Sequence, residues 1–212
     1  FGSSYRPQKR ERATLSFTDP MVNDTNNLLS GSLFYSFSGR SSMYYAPLDM
    51  ITKGGSFRWG RRFKWPDDYF RGSWSFTAHQ RIYQAESPEQ LELYTGGLNQ
   101  TVGISINQAI SRDSRDHREF PTIGSLMALS SSISGGALGG NEDFHKHILN
   151  LEWYTPTFWK FVLMSSVKLG GIKALPSKDN ERSVIPFNER FIMGGSGMIY
   201  GNPLRGYEDN RV

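Results

Sequence analysis

The sequence contains no cysteine and no long run of apolar residues. Without cysteine, the chain can form neither a disulfide nor a thiolate-ligated metal site. No apolar stretch approaches the roughly 20 residues that a membrane-spanning helix needs. The formal net charge is only +4, and the positive residues are scattered along the chain. Because no basic stripe indicates a nucleic-acid interface, we expect no nucleic-acid partner.

Aromatic residues and glycine are abundant, whereas aliphatic residues are few. The 212 residues include 14 Phe, 10 Tyr, 5 Trp and 22 Gly, yet hydrophobic residues make up only 37% of the chain. Average soluble α/β domains carry more aliphatic residues and more helix formers. The length suits one domain or a large piece of a bigger protein. The composition therefore argues against an ordinary soluble α/β domain.

Apolar and polar residues alternate with a period of two along most of the chain, which is the pattern of β-strands. In Phe70–Tyr83, the clearest case, apolar residues such as Trp74 alternate with polar ones such as Ser75. Eight such segments are Arg12–Asp19, Asn27–Gly39, Gly55–Trp65, Phe70–Tyr83, Leu91–Ser111, Leu126–Gly135, His145–Thr155 and Phe158–Gly170. Within the fifth, Gly96 and Gly97 would bend or bulge the strand. We therefore predict eight strands.

The predicted strands are longer than the five or six residues typical of soluble sandwiches. Each has one ring-rich apolar face and one face of Ser, Gly and charged residues, as expected where lipid lies outside and water inside. Rings near strand ends would form interface girdles: Trp59, Trp65, Phe70, Trp153 and Trp159. This pattern favours a transmembrane β-barrel. A large soluble β-sandwich or a lipid-carrier sheet is the alternative that alternation alone leaves open.

The stretch Glu189–Arg211 combines frequent glycine with large apolar side chains around a single Arg205. Its glycines are Gly194, Gly195, Gly197, Gly201 and Gly206. Glycine this frequent marks backbone that takes positive φ angles or packs closely against something. A loop surrounded only by water would leave its large apolar side chains exposed, which is unfavourable. We interpret the stretch as a loop that folds into an enclosure, with Arg205 at its charged tip.

Three sets of polar residues admit a chemical role, each beside a plainer alternative. His145 and His147 point the same way in a strand, so they could hold a metal ion, but an exposed polar segment is the simpler interpretation. His79 lies near Ser75, yet no nucleophile motif surrounds them. A third set, in the connection before Gly124, could be an acid–base or calcium cluster: Asp113, Asp116, His117 and Glu119. Arginines interleave with that set, so a salt-bridged loop explains it better.

Four motifs in the right order resemble those of the BamA family, the bacterial outer-membrane protein assembly factors. They are Phe191-Ile192-Met193-Gly194-Gly195 followed by Leu204-Arg205-Gly206-Tyr207; Ser16-Phe17-Thr18-Asp19-Pro20; Ser32-Leu33-Phe34-Tyr35; and Arg115–Gly124, which ends Phe120-Pro121-Thr122-Ile123-Gly124. An Arg-Gly-Tyr triplet alone would be common by chance. Their order over nearly the whole chain makes the resemblance specific.

The resemblance implies an all-β fold, a transmembrane antiparallel β-barrel of the sixteen-stranded type. About eight central strands, in residues 1–170, and a long loop, residues 171–212, would be present here. In the family this extracellular loop folds into the barrel lumen, where its arginine bonds acidic residues of later strands. Carried over, Leu204, Arg205, Gly206 and Tyr207 form the lumenal anchor. Gly194 and Gly195 permit the tight fold, and Asp116, Phe120, Pro121 and Gly124 form a structural loop segment.

The function implied by the resemblance is insertion of β-barrel proteins into the bacterial outer membrane, without enzyme chemistry, cofactor or ATP. The implied partners are unfolded β-barrel clients, periplasmic or lipoprotein assembly subunits, and outer-membrane lipids. The family's barrel has further strands, including those with acidic partners for Arg205, so we expect a longer protein. A two-partner secretion or translocation-module transporter is a related alternative. A passive porin-like channel and a soluble β-sandwich binder are alternatives of another class.

Overall fold

The computed structural model describes residues 9–39, 48–176, 185–186, 189–193 and 201–202, and gives the backbone alone at 192–193 and 201–202. The strands are β1 Arg10–Asp19, β2 Asn27–Ser38, β3 Asp49–Arg62, β4 Phe70–Gln84, β5 Gln100–Asp113, β6 Gly124–Ser134, β7 Phe144–Pro156, β8 Val162–Ala174, β9 Ile192–Met193 and β10 Gly201–Asn202. Helix α1 spans Pro88–Thr95, and short 3-10 helices lie at Val22–Asp24 and Gly136–Leu138. Within this part of the chain, no helix is both long and apolar enough to cross a membrane.

Strands β1 to β8 form one antiparallel sheet in which each strand pairs with its neighbours along the chain. Each of the eight predicted strands corresponds to one of these, so the predicted all-β, antiparallel fold class is confirmed. Because every pairing is between consecutive strands, only local connections are needed. Among the described residues the sheet is open, with β1 and β8 at its two edges.

One face of the sheet, the apolar face, carries rings and aliphatic side chains in register from strand to strand. Phe57 pairs with Phe76, which pairs in turn with Ile106. Trp59 pairs with Trp74, and their stacked rings have centroids 4.8 Å apart. Further exposed residues of this face are Leu15, Phe17, Leu33, Ile133, Val167 and Leu169. So broad an exposed apolar surface needs an apolar medium or a partner against it.

The opposite face, the polar face, is lined mainly by hydroxyl, amide and charged side chains. Ser32 and Ser56 lie across β2 and β3, with their Oγ atoms 2.8 Å apart. The Ser132 hydroxyl donates to Asn107 Oδ1 over 2.6 Å between β6 and β5. The period-two alternation of the sequence thus places apolar side chains on one face of the sheet and polar side chains on the other, as in the strands of a membrane barrel.

The connections alternate between the two ends of the sheet. At one end, the turn end, lie residues 20–26, 63–69, 114–123 and 157–161. At the other, the loop end, lie Gly39, Leu48, the connections 85–99 and 135–143, and the end of β8 at Ala174. Strand β8 therefore ends at the loop end, beside the 135–143 connection, where the Leu175 N–H donates to Asp143 O over 3.0 Å.

The buried apolar core is small and lies at the loop end. Leu48 and Tyr83 are almost fully buried there, with Met50, Leu91 and Tyr94 packed around them. Helix α1 supplies the last two of these residues. Met50 and Tyr83 pair on the same side of the sheet as Arg81 and His79, which is the polar face, so this core leaves the apolar face open.

Helix α1 occupies part of a segment that we predicted as one long strand, Leu91–Ser111. Ser87 begins the helix, because its Oγ accepts the N–H of Gln90 over 3.4 Å, and Pro88 supplies a first-turn residue that needs no N–H partner. Gly96 ends it in the left-handed conformation, with φ 64°. The prediction was wrong over residues 91–99, since β5 begins only at Gln100: the glycine pair stops a helix and does not bulge a strand.

The last strand also begins later than predicted. Residues 158–161 form a turn, closed by the Thr157 N–H that donates to Phe161 O over 2.9 Å, and Trp159 has φ 56°. A positive φ in a non-glycine residue is typical of a turn and disrupts a strand. Strand β8 starts at Val162 and continues to Ala174, a few residues beyond position 170.

Candidate functional site

A buried carboxylate, Glu142, is the centre of the most tightly bonded cluster on the polar face. It lies in the connection between β6 and β7 and is 1% exposed. Arg81 Nη1 donates to Glu142 Oε2 over 2.7 Å, and His79 Nε2 lies 3.0 Å from the same oxygen. The Thr101 hydroxyl donates to Oε1 over 2.5 Å. Both carboxylate oxygens are thus bonded from β4 and β5, as a buried charge requires.

Glycines bring Glu142 to this position. Gly135, Gly139 and Gly140 have φ angles of 70°, 86° and 94°, which side chains rarely allow. The connection then attaches to β5, where Asn141 Oδ1 accepts the N–H of Val102 over 2.8 Å. The Asn141 N–H donates to Val102 O over 3.0 Å. These two hydrogen bonds between Asn141 and Val102 fix the backbone so that the next side chain, Glu142, lies on the polar face.

Gly103 on β5 leaves the space that the carboxylate fills. A Cβ atom there would lie 2.5 Å from Glu142 Oε2 and 2.5 Å from His79 Cε1. Neither neighbour can retreat without giving up the bond between them. The cluster therefore requires glycine at position 103 for space and not for backbone conformation.

Burial would by itself raise the pKa of the Glu142 carboxyl, because it disfavours the charged form. The hydrogen bond from His79 and the positive charge of Arg81 oppose burial and prevail, so this pKa lies below its ordinary value. Glu142 therefore stays ionised near neutral pH and holds Arg81 in place.

The start of the glycine-rich stretch lies against the same cluster. Arg81 Nη2 is 3.6 Å from Glu189 Oε1. Lys146 Nζ donates to the Glu189 carbonyl over 2.7 Å and lies 3.4 Å from Glu189 Oε2. The Phe191 ring lies 5.1 Å from the same Nζ and packs over Gly170. Residues 189–191 are thus held on the polar face by β4, β7 and β8.

A cavity of about 390 Å³ lies beside these contacts. Its lining includes Phe34, Thr77, Ser105, Lys146 and Glu189. Hydroxyl and charged groups on several strands face this space, so it suits water or a polar segment of chain.

The segment that contains Asp116, Phe120, Pro121 and Gly124 forms the turn between β5 and β6. The Thr122 hydroxyl donates to Asp116 over 2.5 Å, and the N–H groups of Thr122 and Ile123 donate to it over 2.9 and 3.3 Å. The Thr122 hydroxyl, followed by these N–H groups, lowers the pKa of the exposed Asp116 carboxyl well below its usual range.

Other members of the turn complete its shape. Gly124 has φ 111°, and a side chain there would meet the backbone of Ser114. Phe120 is 81% exposed. Arg115 donates two hydrogen bonds to the Asp113 carboxylate, from Nε to Oδ1 over 2.8 Å and from Nη2 to Oδ2 over 3.0 Å. Arg115, one of the arginines that interleave with the acids, therefore forms an ion pair beside this turn.

The two histidines considered as metal ligands lie together on the apolar face. His145 Nδ1 is 3.1 Å from His147 Nε2, and His147 Nδ1 is 2.9 Å from Ser131 Oγ. Over the described ranges, no group of three or more His, Cys, Asp or Glu side chains is arranged to hold a metal ion. His79, considered with Ser75, bonds Glu142 on the polar face.

The predicted anchor residues Leu204, Arg205, Gly206 and Tyr207 lie outside the described residues, as do Gly194 and Gly195. Their assignment stays a prediction. Conversely, sequence reasoning missed the cluster of Glu142, Arg81 and Glu189. The available signal was a lone acidic pair directly after a double-glycine connection, Gly139-Gly140-Asn141-Glu142-Asp143.

Comparison with known proteins agrees with this architecture. The Omp85 superfamily domain matches residues 2–212. A curated relative, the outer membrane protein assembly factor BamA of Nitratidesulfovibrio vulgaris, is 25% identical over 194 residues, 91% of this chain and 23% of its own length. The chain thus spans about a quarter of that relative.

A solved structure shows the same fold. The crystal structure of BamA from Haemophilus ducreyi lacking POTRA domains 1-3 superposes with a TM-score of 0.74 and 19% identity, over 96% of this chain and 38% of that one. The resemblance to the BamA family is confirmed by both comparisons. The open sheet is part of an integral outer-membrane β-barrel. This chain belongs to the Omp85 superfamily.

Proposed function

We propose that the protein containing this chain is an outer-membrane insertase, which folds β-barrel proteins into the membrane. The observation that carries the proposal is the position of residues 189–191, which lie on the polar face, held by Glu189 and Phe191. A segment of the loop, upstream of its predicted tip, thus lies on the polar side of the sheet, where a barrel lumen would be. The relative from Nitratidesulfovibrio vulgaris carries the name of an assembly factor.

In this proposal, residues 1–170 hold the central barrel strands, the last of which continues to Ala174, and the rest of residues 171–212 form a long extracellular loop that fills the lumen. Arg205 is its anchor and bonds carboxylates on strands outside this chain, since a buried arginine without such partners would be costly. Leu204, Gly206 and Tyr207 shape the tip, and Gly194 and Gly195 permit the turn that reaches it.

The proposed mechanism uses no enzyme chemistry, cofactor or ATP. A barrel edge templates the strands of a client, since an exposed edge offers unpaired N–H and C=O groups. The apolar face meets outer-membrane lipids and locally disturbs their packing. Unfolded β-barrel clients and periplasmic or lipoprotein assembly subunits are the proposed partners.

The experiment that tests this function uses the full-length protein in proteoliposomes. We expect it to speed membrane insertion of an unfolded β-barrel client several-fold, and Arg205→Ala to remove most of this gain. Arg118→Ala, an exposed arginine of the turn at residues 114–123, is the control. Ion conductance that is unchanged by Arg205→Ala, without faster client insertion, would instead indicate a passive channel.

A further inference from the structure

In the proposed function, the cation Arg205 of the loop binds carboxylates of the barrel wall. Glu189 offers the reverse arrangement, a carboxylate of the loop beside cations of the wall. We propose that Glu189 is a lumenal anchor in which a loop carboxylate binds two cations of the barrel wall, Arg81 and Lys146. The inference rests on the proposed function, in which the loop occupies the lumen. It adds a positioning residue within that loop, upstream of the predicted tip at Arg205.

The Lys146 contact fixes both the side chain and the backbone of Glu189. Its Nζ is 2.7 Å from the Glu189 carbonyl and 3.4 Å from the carboxylate. The Lys146 side chain is only 16% exposed and that of Glu189 30%, so water screens this pair less than an ordinary surface pair. A hydrogen bond from the ammonium to the carbonyl also sets the path of the chain, which a side-chain pair alone would not do.

Arg81 is fixed in advance for the second contact. Glu142 holds Nη1 at 2.7 Å, and Nη2 remains directed to Glu189 at 3.6 Å. One guanidinium thus bridges two carboxylates, one from the 135–143 connection and one from the loop. Two cations, Arg81 and Lys146, balance two anions, Glu142 and Glu189. Removing either member of the loop pair leaves an imbalance in a partly dehydrated site.

An apolar contact adjoins the ionic one. The Phe191 ring rests on the bare backbone of Gly170 in β8, where a Cβ atom would lie 2.7 Å from Cζ of the ring. The charge of Lys146 lies over the same ring, with Nζ 5.1 Å from its centroid. Lys146 therefore contacts the loop at two residues, Glu189 and Phe191. Two contacts from one side chain favour a specific binding site over a chance ion pair.

A labelling experiment on the full-length protein in native outer membranes tests this anchor. Because this chain has no cysteine, Ser196→Cys introduces a single reporter into it. The rate of reaction with a membrane-impermeant maleimide then measures release of the loop. We expect Glu189→Gln and Lys146→Gln each to raise this rate by roughly tenfold, the equivalent of one charge-assisted bond.

Lys168→Gln is the matched control, since Lys168 lies on the polar face of β8, opposite Asn150, and is exposed. Labelling rates that equal wild type in Glu189→Gln and Lys146→Gln would overturn the proposal. So would an equal rise in Lys168→Gln, which would indicate a general effect of lost charge. The labelling rate depends on the position of the loop and not on insertion of a client. It therefore tests the Glu189 anchor even if the protein does not insert clients.

A second measurement needs no variant. A carbodiimide activates a carboxylate, and a contacting amine displaces it to form an amide while the carbodiimide leaves as its urea, so the reagent should link Glu189 to Lys146. The exposed pair Lys9–Glu11, 3.1 Å apart, reports that the reagent has reacted. A Glu189–Lys146 link found by mass spectrometry supports the anchor, and its absence beside a Lys9–Glu11 link contradicts it.

Discussion

Two carboxylates hold connections at opposite ends of the sheet, and they do so by different means. Asp116, at the turn end, is exposed and bonds groups within seven residues of itself. Glu142, at the loop end, is 1% exposed and bonds side chains 41 to 63 positions away. Both have a pKa below the ordinary value. A lowered pKa therefore does not distinguish a local turn from a long-range tie.

Desolvation makes the difference between them. If Asp116 is replaced, water can take over the N–H groups that it accepted. If Glu142 is replaced, Arg81 keeps its charge in a site that water reaches poorly. Removing one partner of a buried pair is much more harmful than removing an exposed cap. The comparison thus predicts unequal costs for chemically similar substitutions.

The largest effect is expected from Glu142→Ala, which leaves Arg81 without its closest counter-ion. We expect a loss of about 3 kcal/mol in the free energy of unfolding, as for other broken buried pairs. Urea unfolding of the full-length barrel in detergent, followed by heat-modifiable gel mobility, measures it. Glu119→Ala, at an exposed position of the turn end, is the control. Equal losses in both variants would mean that water reaches Glu142 freely.

The second prediction removes the space for the carboxylate and keeps the carboxylate itself. Gly103→Ala should cost about 1 to 3 kcal/mol, because a methyl group there meets Glu142 and His79. Gly31→Ala is the matched control, since a Cβ at Gly31 meets nothing within 4 Å. In a Glu142→Ala background the Gly103→Ala cost should shrink, and costs that add in full would contradict the shared site.

The third prediction concerns acid. Since the pKa of Glu142 is lower in the folded protein, its contribution to stability is fully present above the ordinary value of 4.5. It is lost as the pH falls below 4.5 and through the lowered folded pKa. We expect Glu142→Gln to be less stable than wild type at pH 7 and to approach it in acid. A constant difference between the two proteins across this range would exclude Glu142 as the titrating group.

The alternation of apolar and polar residues predicted the sheet because it depends only on neighbouring residues within one strand. Successive residues of a strand point to opposite faces, so Phe57 and Phe76 could be assigned to the apolar face before any pairing was known. The same rule failed at Leu91–Thr95, where Ser87 and Gly96 start and end a helix. Local capping outweighed a pattern too short to distinguish the two periods.

The two carboxylates show the same limit for the candidate site. Asp116 is assigned a structural role from the family resemblance alone, and the motif that carries this resemblance also contains its partner Thr122. Glu142 could not be selected from sequence, since its partners Arg81 and Thr101 come from other strands and depend on the register of β4, β5 and β6. A period-two pattern gives the face of a strand but not its register with a distant loop.

The smallest effect is expected from Asp116→Asn, and it tests the local half of the comparison. Asparagine keeps an oxygen that can accept the N–H groups of Thr122 and Ile123, and it loses only a charge that is already in water. Global stability should stay near that of wild type, while proteolysis within residues 114–123 increases modestly. Asp116→Ala, which removes the acceptor as well, should be nicked faster. A large fall in unfolding temperature for Asp116→Asn would show that the turn is coupled to the whole sheet, and the division between local and long-range carboxylates would then fail.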